Sequence, residues 1–347
     1  MNTHTNIPPA PIPSRLLSVR NLRTWFYLDE QRIIKAVDDV SFDLNPGDTL
    51  GIVGESGSGK STVMASIIRV VDTPGRVVGG EIHFKGQDLL KLPDDEMRRV
   101  RGKNIGIVFQ DPTASLNPLF TIGQQLSEAV SIHEDLDKAA VNERVHNILQ
   151  KVGIEATQEN LNKYPCDFSP GYRQRVMIAI SILCHPDLIM ADEPTTILGV
   201  TVQAWILESL RQLQEELGAA LIMVTHDFGV VTQMASKIMV MYAGHMVELA
   251  DKRSILINPH HPYTLGLIRS VPIIEARRSR RLKVIPGFPP DMVNLQPGCP
   301  FAPRCERALP ECTQERPPLV EISPSHWIAC FAPIADGEVD ILSELEA

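Results

Sequence analysis

The sequence predicts an α/β fold built around a parallel sheet, and three observations carry this prediction. Segments with strand-like and helix-like patterns alternate along residues 15–270, as they do where helices join parallel strands. The strands predicted at 188–191, 220–225 and 237–242 are short and continuously apolar, which is typical of strands covered on both faces. A strand at 49–53 runs directly into a glycine-rich stretch, the arrangement of a phosphate-binding loop.

The remaining elements follow from local patterns. Apolar and β-branched residues predict strands, a 3.6-residue apolar repeat predicts helices, and the turn at 45–48 separates the second strand from the third. In chain order these elements are strands at 16–26, 36–44, 81–84 and 105–109, a helix at 61–71, a largely helical stretch at 112–164 and a helix at 171–183.

Length and charge narrow the class of protein. The 347 residues correspond to about two domains. The formal net charge of −9 disfavours a protein that neutralises nucleic-acid phosphates. No apolar run is long enough to span a bilayer, and the proline-rich residues 1–14 indicate a disordered tail rather than a secretory signal. We therefore expect a cytosolic protein that reaches membranes only through a partner.

Residues 54–61 read GESGSGKS and fit the pattern G-x-x-x-x-G-K-[ST]. Glycines let consecutive backbone N–H groups point at phosphate oxygens, lysine adds a positive charge, and the final hydroxyl suits Mg²⁺. A chance glycine-rich turn is the alternative, but the strand before and the helix after favour phosphate binding. The predicted phosphate-binding residues are Gly54, Ser56, Gly57, Ser58, Gly59, Lys60, Ser61 and Thr62.

Polar residues also end two of the predicted apolar strands. Asp192 and Glu193 follow the strand at 188–191, and His226 follows the strand at 220–225. Asp192 suits support of Mg²⁺, and Glu193 suits polarisation of a water molecule. In parallel sheets such side chains meet at the edge where ligands bind. Solvated strand caps and a structural histidine are the alternatives.

With these motifs in place, residues 15–270 resemble an ATP-binding subunit of an ABC transporter. The resemblance implies a P-loop ATPase with a RecA-like parallel sheet core, an antiparallel β subdomain and a helical subdomain at about 112–185. Residues 54–62 then resemble Walker A, Asp192 resembles Walker B, and Glu193 resembles the catalytic glutamate.

Three further roles are implied by the same resemblance. Gln110 resembles the Q-loop glutamine that senses Mg²⁺ and water, and His226 resembles the switch histidine that contacts the γ-phosphate. The resemblance also implies an aromatic ring stacked on adenine near the end of the first strand. Phe26 is the best match for this ring, with Tyr27 as its neighbour.

Two motifs depart from the family pattern. The signature, usually Leu-Ser-Gly-Gly-Gln, reads FSPGY at 168–172, so Pro170 replaces a glycine between Ser169 and Gly171. We expect Ser169 to cap the following helix, because proline is tolerated at the first helical position. In the D-loop at 194–199, Gly199 replaces the usual aspartate. One interpretation is that both changes are neutral sequence variation that the protein tolerates. The other is that the two ATP sites of a subunit pair are unequal, because the partner's nucleotide meets the altered signature.

Four of the six cysteines crowd the C-terminal part of the chain. Five, six and seventeen residues separate Cys299, Cys305, Cys312 and Cys330. Four thiolates bind a [4Fe–4S] cluster or Zn²⁺, and the spacing does not distinguish these from four free thiols. The surrounding prolines and short loops offer no large core of their own, so we expect a metal to hold this segment together. Cys166 and Cys184 are assigned no metal role.

The cysteine segment narrows the resemblance to the oligopeptide and dipeptide importer branch. Residues 298–305, 316–319, 326–330 and 260–264 resemble the C-terminal region of that branch. The resemblance implies a [4Fe–4S] cluster on the four cysteines. We expect an extension at 271–335 that carries the cluster, followed by an acidic tail at 336–347.

The resemblance implies an ATP-hydrolysing motor of a peptide importer. Its expected partners are a second ATP-binding subunit, expected to be a different chain, two membrane permease subunits and an extracytoplasmic substrate-binding protein. The expected location is the cytoplasmic face of the inner membrane. The alternatives are an ABC ATPase that acts on nucleic acid or ribosomes, and a nucleotide-binding regulator with little turnover. The transported substrate does not follow from this sequence.

Overall fold

The structure is a computed structural model that describes residues 15–196, 198–271 and 284–341. It forms two units. The first unit comprises the described parts of Met1–Asp43, Leu50–Leu90 and Thr225–Ala347, and the second comprises Leu44–Thr49 and Lys91–Val224. The predicted tail at 1–14 and the last six residues of the predicted acidic tail lie outside the described residues.

The first unit contains a four-stranded antiparallel sheet. Its strands are β1 (Leu17–Tyr27), β2 (Ile33–Leu44), β4 (Gly75–Phe84) and β5 (Gln87–Asp88), in the order β2-β1-β4-β5. Along β1 the side chains of Leu17, Val19 and Leu22 are fully buried, so this strand packs one face inward as its apolar pattern predicts.

A second sheet region of the first unit surrounds the strand before the glycine-rich loop. Strand β3 (Thr49–Val53) pairs in parallel with β9 (Lys237–Tyr242), and β9 pairs antiparallel with β10 (His245–Asp251). The helices of this unit are α1 (Lys60–Ile67), α9 (Phe228–Met234), α10 (Lys252–Ile257) and α11 (Pro262–Arg269).

The C-terminal extension joins this sheet and its core. Strand β12 (His326–Ile328) pairs with β10, and β11 (Val320–Ser323) pairs with β12. Phe301, Ile334 and Ile341 are buried in the same apolar cluster as the body of the first unit. The extension therefore packs into the core of its unit, while the expectation concerned only a large core of its own.

The second unit combines a parallel sheet with most of the helices. Strands β6 (Ile105–Val108), β7 (Leu188–Asp192) and β8 (Ala220–Thr225) pair in parallel in the order β6-β7-β8. The helices are α2 (Asp94–Lys103), α3 (Pro112–Ser115), α4 (Ile122–Ser131), α5 (Lys138–Lys151), α6 (Gln158–Leu161), α7 (Pro170–Ile182) and α8 (Val200–Leu217).

The stretch predicted as helical at 112–164 is helical in four pieces, α3 to α6. Each of these helices begins with a side chain that accepts a backbone N–H, and Thr121 and Gln124 form a capping box at the start of α4. In the described parts of the chain, no helix combines the length and the apolar character that a bilayer-spanning segment needs.

Candidate nucleotide site

The glycine-rich loop connects β3 to α1, and its backbone depends on glycine at two positions. Gly54 and Gly59 have φ angles of 156° and 99°, which side chains rarely adopt. A Cβ atom would lie 2.2 Å from the Met241 carbonyl oxygen at Gly54, and 2.0 Å from the Ala36 carbonyl oxygen at Gly59. The loop therefore packs against neighbouring backbone where no side chain fits.

The Lys60 side chain is buried and folds back over this loop. Its Nζ donates hydrogen bonds to the carbonyl oxygens of Gly54 and Glu55, both at 2.9 Å. Ser58 Oγ lies 3.4 Å from the same nitrogen. The ammonium group is thus held by the loop itself, as a phosphate-binding lysine requires. Among the other predicted phosphate ligands, Ser56, Gly57 and Ser61 are exposed, Thr62 is half-buried and Ser58 is buried.

In the second unit the structure brings Gln110 and Glu193 together. The Gln110 Nε2 donates a hydrogen bond of 3.1 Å to the Glu193 carboxylate, and the Thr196 hydroxyl donates another of 2.9 Å to the same oxygen. Glu193 has a φ of 43°, a strained value for a residue with a side chain. Gln110 and Glu193 lie 83 positions apart in the sequence, yet the motifs that contain them predicted that both residues belong to one site.

Two other predicted residues lie where strands end. Asp192 is the last residue of β7 and is opposite Val224 in β8. His226 follows β8 directly and is exposed, while Asp227 caps α9 by accepting N–H groups of Gly229 and Val230. The strand-end positions of these two side chains agree with their motifs.

Phe26 lies near the end of β1, half-buried and opposite Gly75 of β4. Its ring lies so close that a Cβ at Gly75 would be 2.6 Å from a ring carbon. The guanidinium of Arg76 lies 4.3 Å from the centre of the Tyr27 ring. Stacking of Phe26 on adenine stays a prediction, with Tyr27 as the neighbouring aromatic.

The altered signature forms the start of α7. Ser169 is the N-cap and Pro170 the first helical residue, but the Ser169 side chain accepts no capping hydrogen bond. Ser169 is therefore at the predicted N-cap position, but its side chain does not form the expected hydrogen bond to the helix backbone. A Cβ at Gly171 would lie 3.0 Å from a methyl group of Val202, so the helix start packs closely on α8.

The altered D-loop leads into α8. Gly199 is the N-cap of α8 and has an extended backbone. No atom of the described residues lies within 4 Å of a Cβ built at this position, and Ile197 is outside them. The described neighbours of Gly199 consequently leave room for the aspartate that the ABC pattern has here.

Comparisons with known proteins agree with this geometry. Residues 37–196 match the family described as ABC transporter, and residues 247–312 match the one described as Oligopeptide/dipeptide transporter, C-terminal region. The oligopeptide transport ATP-binding protein OppD of Salmonella typhimurium is 43% identical over 94% of this chain and 97% of its own length. The dipeptide transport ATP-binding protein DppD of Bacillus subtilis is 43% identical over 95% and 98%.

The chain belongs to the oligopeptide and dipeptide branch of the ABC transporter ATP-binding proteins. A solved ATP-binding cassette, a dimer in a post-hydrolysis state with ADP and Pi, is 28% identical and superposes with a TM-score of 0.62, covering 68% of this chain and 99% of its own. The predicted fold class and the predicted ATPase activity are thereby confirmed.

This ATP-binding protein also brings its four late cysteines to one cavity. Cys299, Cys305, Cys312 and Cys330 all line it, together with residues such as Phe331. All four are free thiols. Burial raises the pKa of Cys299 and Cys305, and raises the pKa of Cys330 to about 12.

The four thiols line one cavity but do not form a metal-binding group. Within residues 15–196, 198–271 and 284–341, no three side chains of His, Cys, Asp or Glu are placed to hold a metal ion. The predicted [4Fe–4S] cluster therefore stays a proposal. Cys166 is exposed and Cys184 is buried, and both belong to the second unit.

Sequence reasoning missed the residues that support the glycine-rich loop from the extension and α11. The Tyr263 hydroxyl accepts the Glu55 N–H at 2.8 Å, and Arg304 binds the Glu55 carboxylate. Neither residue belongs to a nucleotide-binding motif, and Glu55 and Arg304 lie 249 positions apart in the sequence. No local pattern carries a signal for contacts across such a separation.

Proposed function

We propose that this protein is the ATP-hydrolysing motor of an ABC importer for peptides of the dipeptide or oligopeptide type. The observation that carries the proposal is a single chain in which the ABC region and the C-terminal region of peptide transporters are both matched. The two named relatives are peptide transport proteins and match almost the whole chain.

In the first unit, we assign phosphate binding to the loop at 54–62. Lys60 supplies the positive charge, and backbone N–H groups of the loop bind oxygens of the β- and γ-phosphates. The Ser61 hydroxyl is the proposed Mg²⁺ ligand of this loop, and His226 is the proposed γ-phosphate contact. The adenine ring stacks on Phe26.

In the second unit, we assign the role of general base to Glu193. Gln110 orients its carboxylate through the 3.1 Å hydrogen bond, and the carboxylate accepts a proton from the attacking water. Gln110 is also a proposed Mg²⁺ ligand, and Asp192 supports the hydration shell of the ion. Hydroxyl, amide and carboxylate oxygens fit Mg²⁺, which supplies charge neutralisation when it is bound.

The proposed partners follow from this role. A second ATP-binding subunit completes each site by presenting its signature, two permease subunits form the path through the membrane, and an extracytoplasmic protein delivers the peptide. ATP binding closes the two ATP-binding subunits and hydrolysis reopens them. The chain would then work at the cytoplasmic face of the inner membrane, held there by the permease subunits.

We infer unequal ATP sites from the altered signature. In a pair with a different subunit whose signature is intact, ATP on Lys60 meets that signature and is hydrolysed, whereas the partner's ATP meets Ser169, Pro170 and Gly171. The proline lacks an N–H, so that site turns over slowly. Glu193→Gln in the assembled complex should lower turnover by about 10²–10⁴. Near-normal turnover would disprove the asymmetry.

For the cysteine cavity we propose a [4Fe–4S] cluster with a structural role. Convergence of four free thiols on one cavity supports this assignment, because such clusters are bound by four thiolates. Iron and sulfide analysis of anaerobically purified protein, with a visible spectrum, tests it. Iron with broad absorbance near about 400 nm is expected for cysteine-bound clusters, whereas stoichiometric zinc or a metal-free protein would refute it.

Purification of the native protein from membranes tests the transport role itself. We expect hydrophobic permease subunits to co-purify, and a peptide-loaded binding protein to stimulate ATP hydrolysis. Recovery of DNA or ribosomal RNA instead would favour the alternative of a nucleic-acid-linked ABC ATPase. An assembled complex whose hydrolysis does not depend on Glu193 would favour the regulator.

A further inference from the structure

The second residue of the glycine-rich loop is a carboxylate. Glu55 lies directly after Gly54, in a loop whose proposed ligand is a triphosphate with several negative charges. A like charge near bound phosphate disfavours binding unless it is compensated. The Glu55 side chain is only 26% exposed, so water screens it incompletely. Something else in the protein must offset this charge.

Arg304 provides that compensation. Its Nη1 and Nη2 donate to the two Glu55 carboxylate oxygens at 2.6 and 2.9 Å, the bidentate geometry that makes arginine–carboxylate pairs strong. The Arg304 side chain is 6% exposed. Its Nε donates to the Pro286 carbonyl oxygen at 2.8 Å, and Nη1 also donates to the Tyr242 hydroxyl at 3.2 Å. The guanidinium is therefore fixed from three directions.

Arg304 lies within the cysteine-bearing segment. It ends a short 3₁₀ turn, Ala302–Arg304, between Cys299 and Cys305. The Ala302 N–H donates to the Cys299 carbonyl oxygen at 3.0 Å, and the Cys305 N–H donates to that of Ala302 at 3.2 Å. A change in the backbone between these two cysteines would therefore move the guanidinium.

Packing fixes this turn against the support of the loop. The Phe301 ring lies 5.3 Å from the ring centre of Tyr242 and 5.2 Å from that of Tyr263. The hydroxyl of Tyr263 holds the backbone N–H of Glu55, and that of Tyr242 holds Arg304. The loop residue is thus held by its backbone and by its side chain.

We propose that Arg304 is a positioning residue for ATP binding: it neutralises and orients Glu55, so that the cysteine-bearing segment forms part of the nucleotide site. The proposal rests on the proposed phosphate-binding role of the loop at 54–62. It also makes nucleotide affinity respond to the state of the turn between Cys299 and Cys305.

The test measures ATP binding with a fluorescent ATP analogue, and KM and kcat in the assembled complex. Arg304→Gln leaves the Glu55 carboxylate beside the phosphates without its partner. We expect affinity to fall about tenfold, the effect of one charge-assisted pair, with KM raised more than kcat is lowered. The loss should be larger at low ionic strength, because salt screens the released charge.

A double variant separates charge compensation from a merely structural role. Glu55→Gln combined with Arg304→Gln removes both charges and should restore affinity to within about threefold of the native value, since coupled neighbours are not additive. Arg304→Lys keeps the positive charge but loses the paired guanidinium donors that bind both carboxylate oxygens, and should give an intermediate affinity. A double variant that binds ATP as weakly as Arg304→Gln, or more weakly, would overturn the proposal.

Arg20→Gln is the matched control. Arg20 also pairs with a carboxylate of the first unit, because its Nη2 donates to both Asp43 oxygens at 2.7 and 2.8 Å. Its hydrogen bonds within the described residues do not involve the loop at 54–62. Its loss should lower thermal stability and leave ATP affinity unchanged. Equal loss of affinity in Arg20→Gln and Arg304→Gln would also contradict a specific role. A native protein that binds no ATP would instead contradict the proposed function.

Discussion

The phosphate loop at 54–61 and the signature segment at 168–172 differ in how much freedom the structure leaves them. In the loop, Gly54 and Gly59 lie against backbone oxygens that a Cβ would meet at 2.2 and 2.0 Å. At the signature, a Cβ at Gly171 would meet only side-chain methyl groups, the nearest at 3.0 Å. The loop keeps the complete motif, whereas the signature has Pro170 in place of the glycine next to this position.

The D-loop extends the comparison. Among the described residues, no atom lies within 4 Å of a Cβ at Gly199, although an aspartate is usual there in the ABC pattern. In the proposed function, both altered motifs would face a partner subunit. Substitutions in the two regions should differ in what they change: folding and nucleotide binding in the loop, turnover of a complex in the signature.

The largest effect is expected for Gly59→Ala. The methyl group meets the Ala36 carbonyl oxygen and the φ of 99° is strained, so we expect a loss of about 2–4 kcal/mol in the free energy of unfolding and no measurable ATP binding. Denaturant titration and analogue binding measure the two effects.

Gly57→Ala is the control for that prediction. Gly57 also has a positive φ, of 80°, but among the described residues no atom lies within 4 Å of its Cβ position. Gly57→Ala should therefore lower the free energy of unfolding only through backbone strain, by about 1–2 kcal/mol. Equal costs at both positions would show that the close approach of Gly59 to Ala36 is unimportant.

The start of α11, which carries Tyr263 and so helps to hold the phosphate loop, should lose stability at low pH. His261 caps α11 by accepting the Tyr263 N–H at 3.0 Å. Burial lowers the pKa of this histidine from 6.5 to about 4. The negative charge of Glu248 has the opposite, smaller effect and raises this pKa. The unfolded state therefore binds more protons between these pH values, and stability present above pH 6.5 is lost as the pH falls toward 4.

The free energy of unfolding should fall by about 3 kcal/mol at most as the pH is lowered through this range. Chemical denaturation at pH 7.5 and pH 5 should show about 2 kcal/mol of this loss, because the remainder is lost only below pH 5. His261→Asn, which retains a cap acceptor without a titratable group, should show a smaller loss between these two pH values. An equal loss in both proteins would assign the acid sensitivity to other groups.

Pro170→Gly tests the signature side of the comparison. Restoring the N–H that glycine has at this position adds about one charge-assisted hydrogen bond to the partner's nucleotide, worth about 1.5–3 kcal/mol. We expect turnover at the partner's site to rise about tenfold or more, measured in a complex that carries Glu193→Gln. Stability of the isolated subunit should change by less than about 1 kcal/mol. Unchanged turnover would mean that the proline is tolerated drift.

The smallest effect is expected for Gly199→Asp. The position has room for the side chain, and aspartate is a slightly better N-cap than glycine, by a few tenths of a kcal/mol. Thermal unfolding should therefore show a slight stabilisation, whereas Gly199→Ala, a poor cap, should be destabilising. A destabilised aspartate variant would contradict the view that this segment has open space.

The parallel strands and the phosphate loop could be predicted because their signals are local. The apolar run of β8 is buried along its whole length, as a strand covered on both faces must be. Helix α8 went unpredicted although its sequence carries a signal: Ile206, Leu210 and Leu213 are buried at helical spacing.

Strands β11 and β12 could not be predicted in the same way. All four residues of β11 are exposed and β12 has only three residues. Both segments are too short for an alternation of apolar and polar residues to establish a strand by itself. They are strands because β10 offers an edge for pairing, and pairing with a distant edge is a tertiary event.

By itself, the sequence determined the chemistry of the nucleotide site. Backbone freedom at glycine, the charge of Lys60 and carboxylates at strand ends are properties of short segments, and these properties alone are enough to indicate an ATPase. Only the tertiary structure decided that Arg304 meets Glu55 and that four cysteines converge on one cavity. Those contacts join segments far apart in the chain, and which distant segments meet is decided by the burial of a shared core rather than by local pattern.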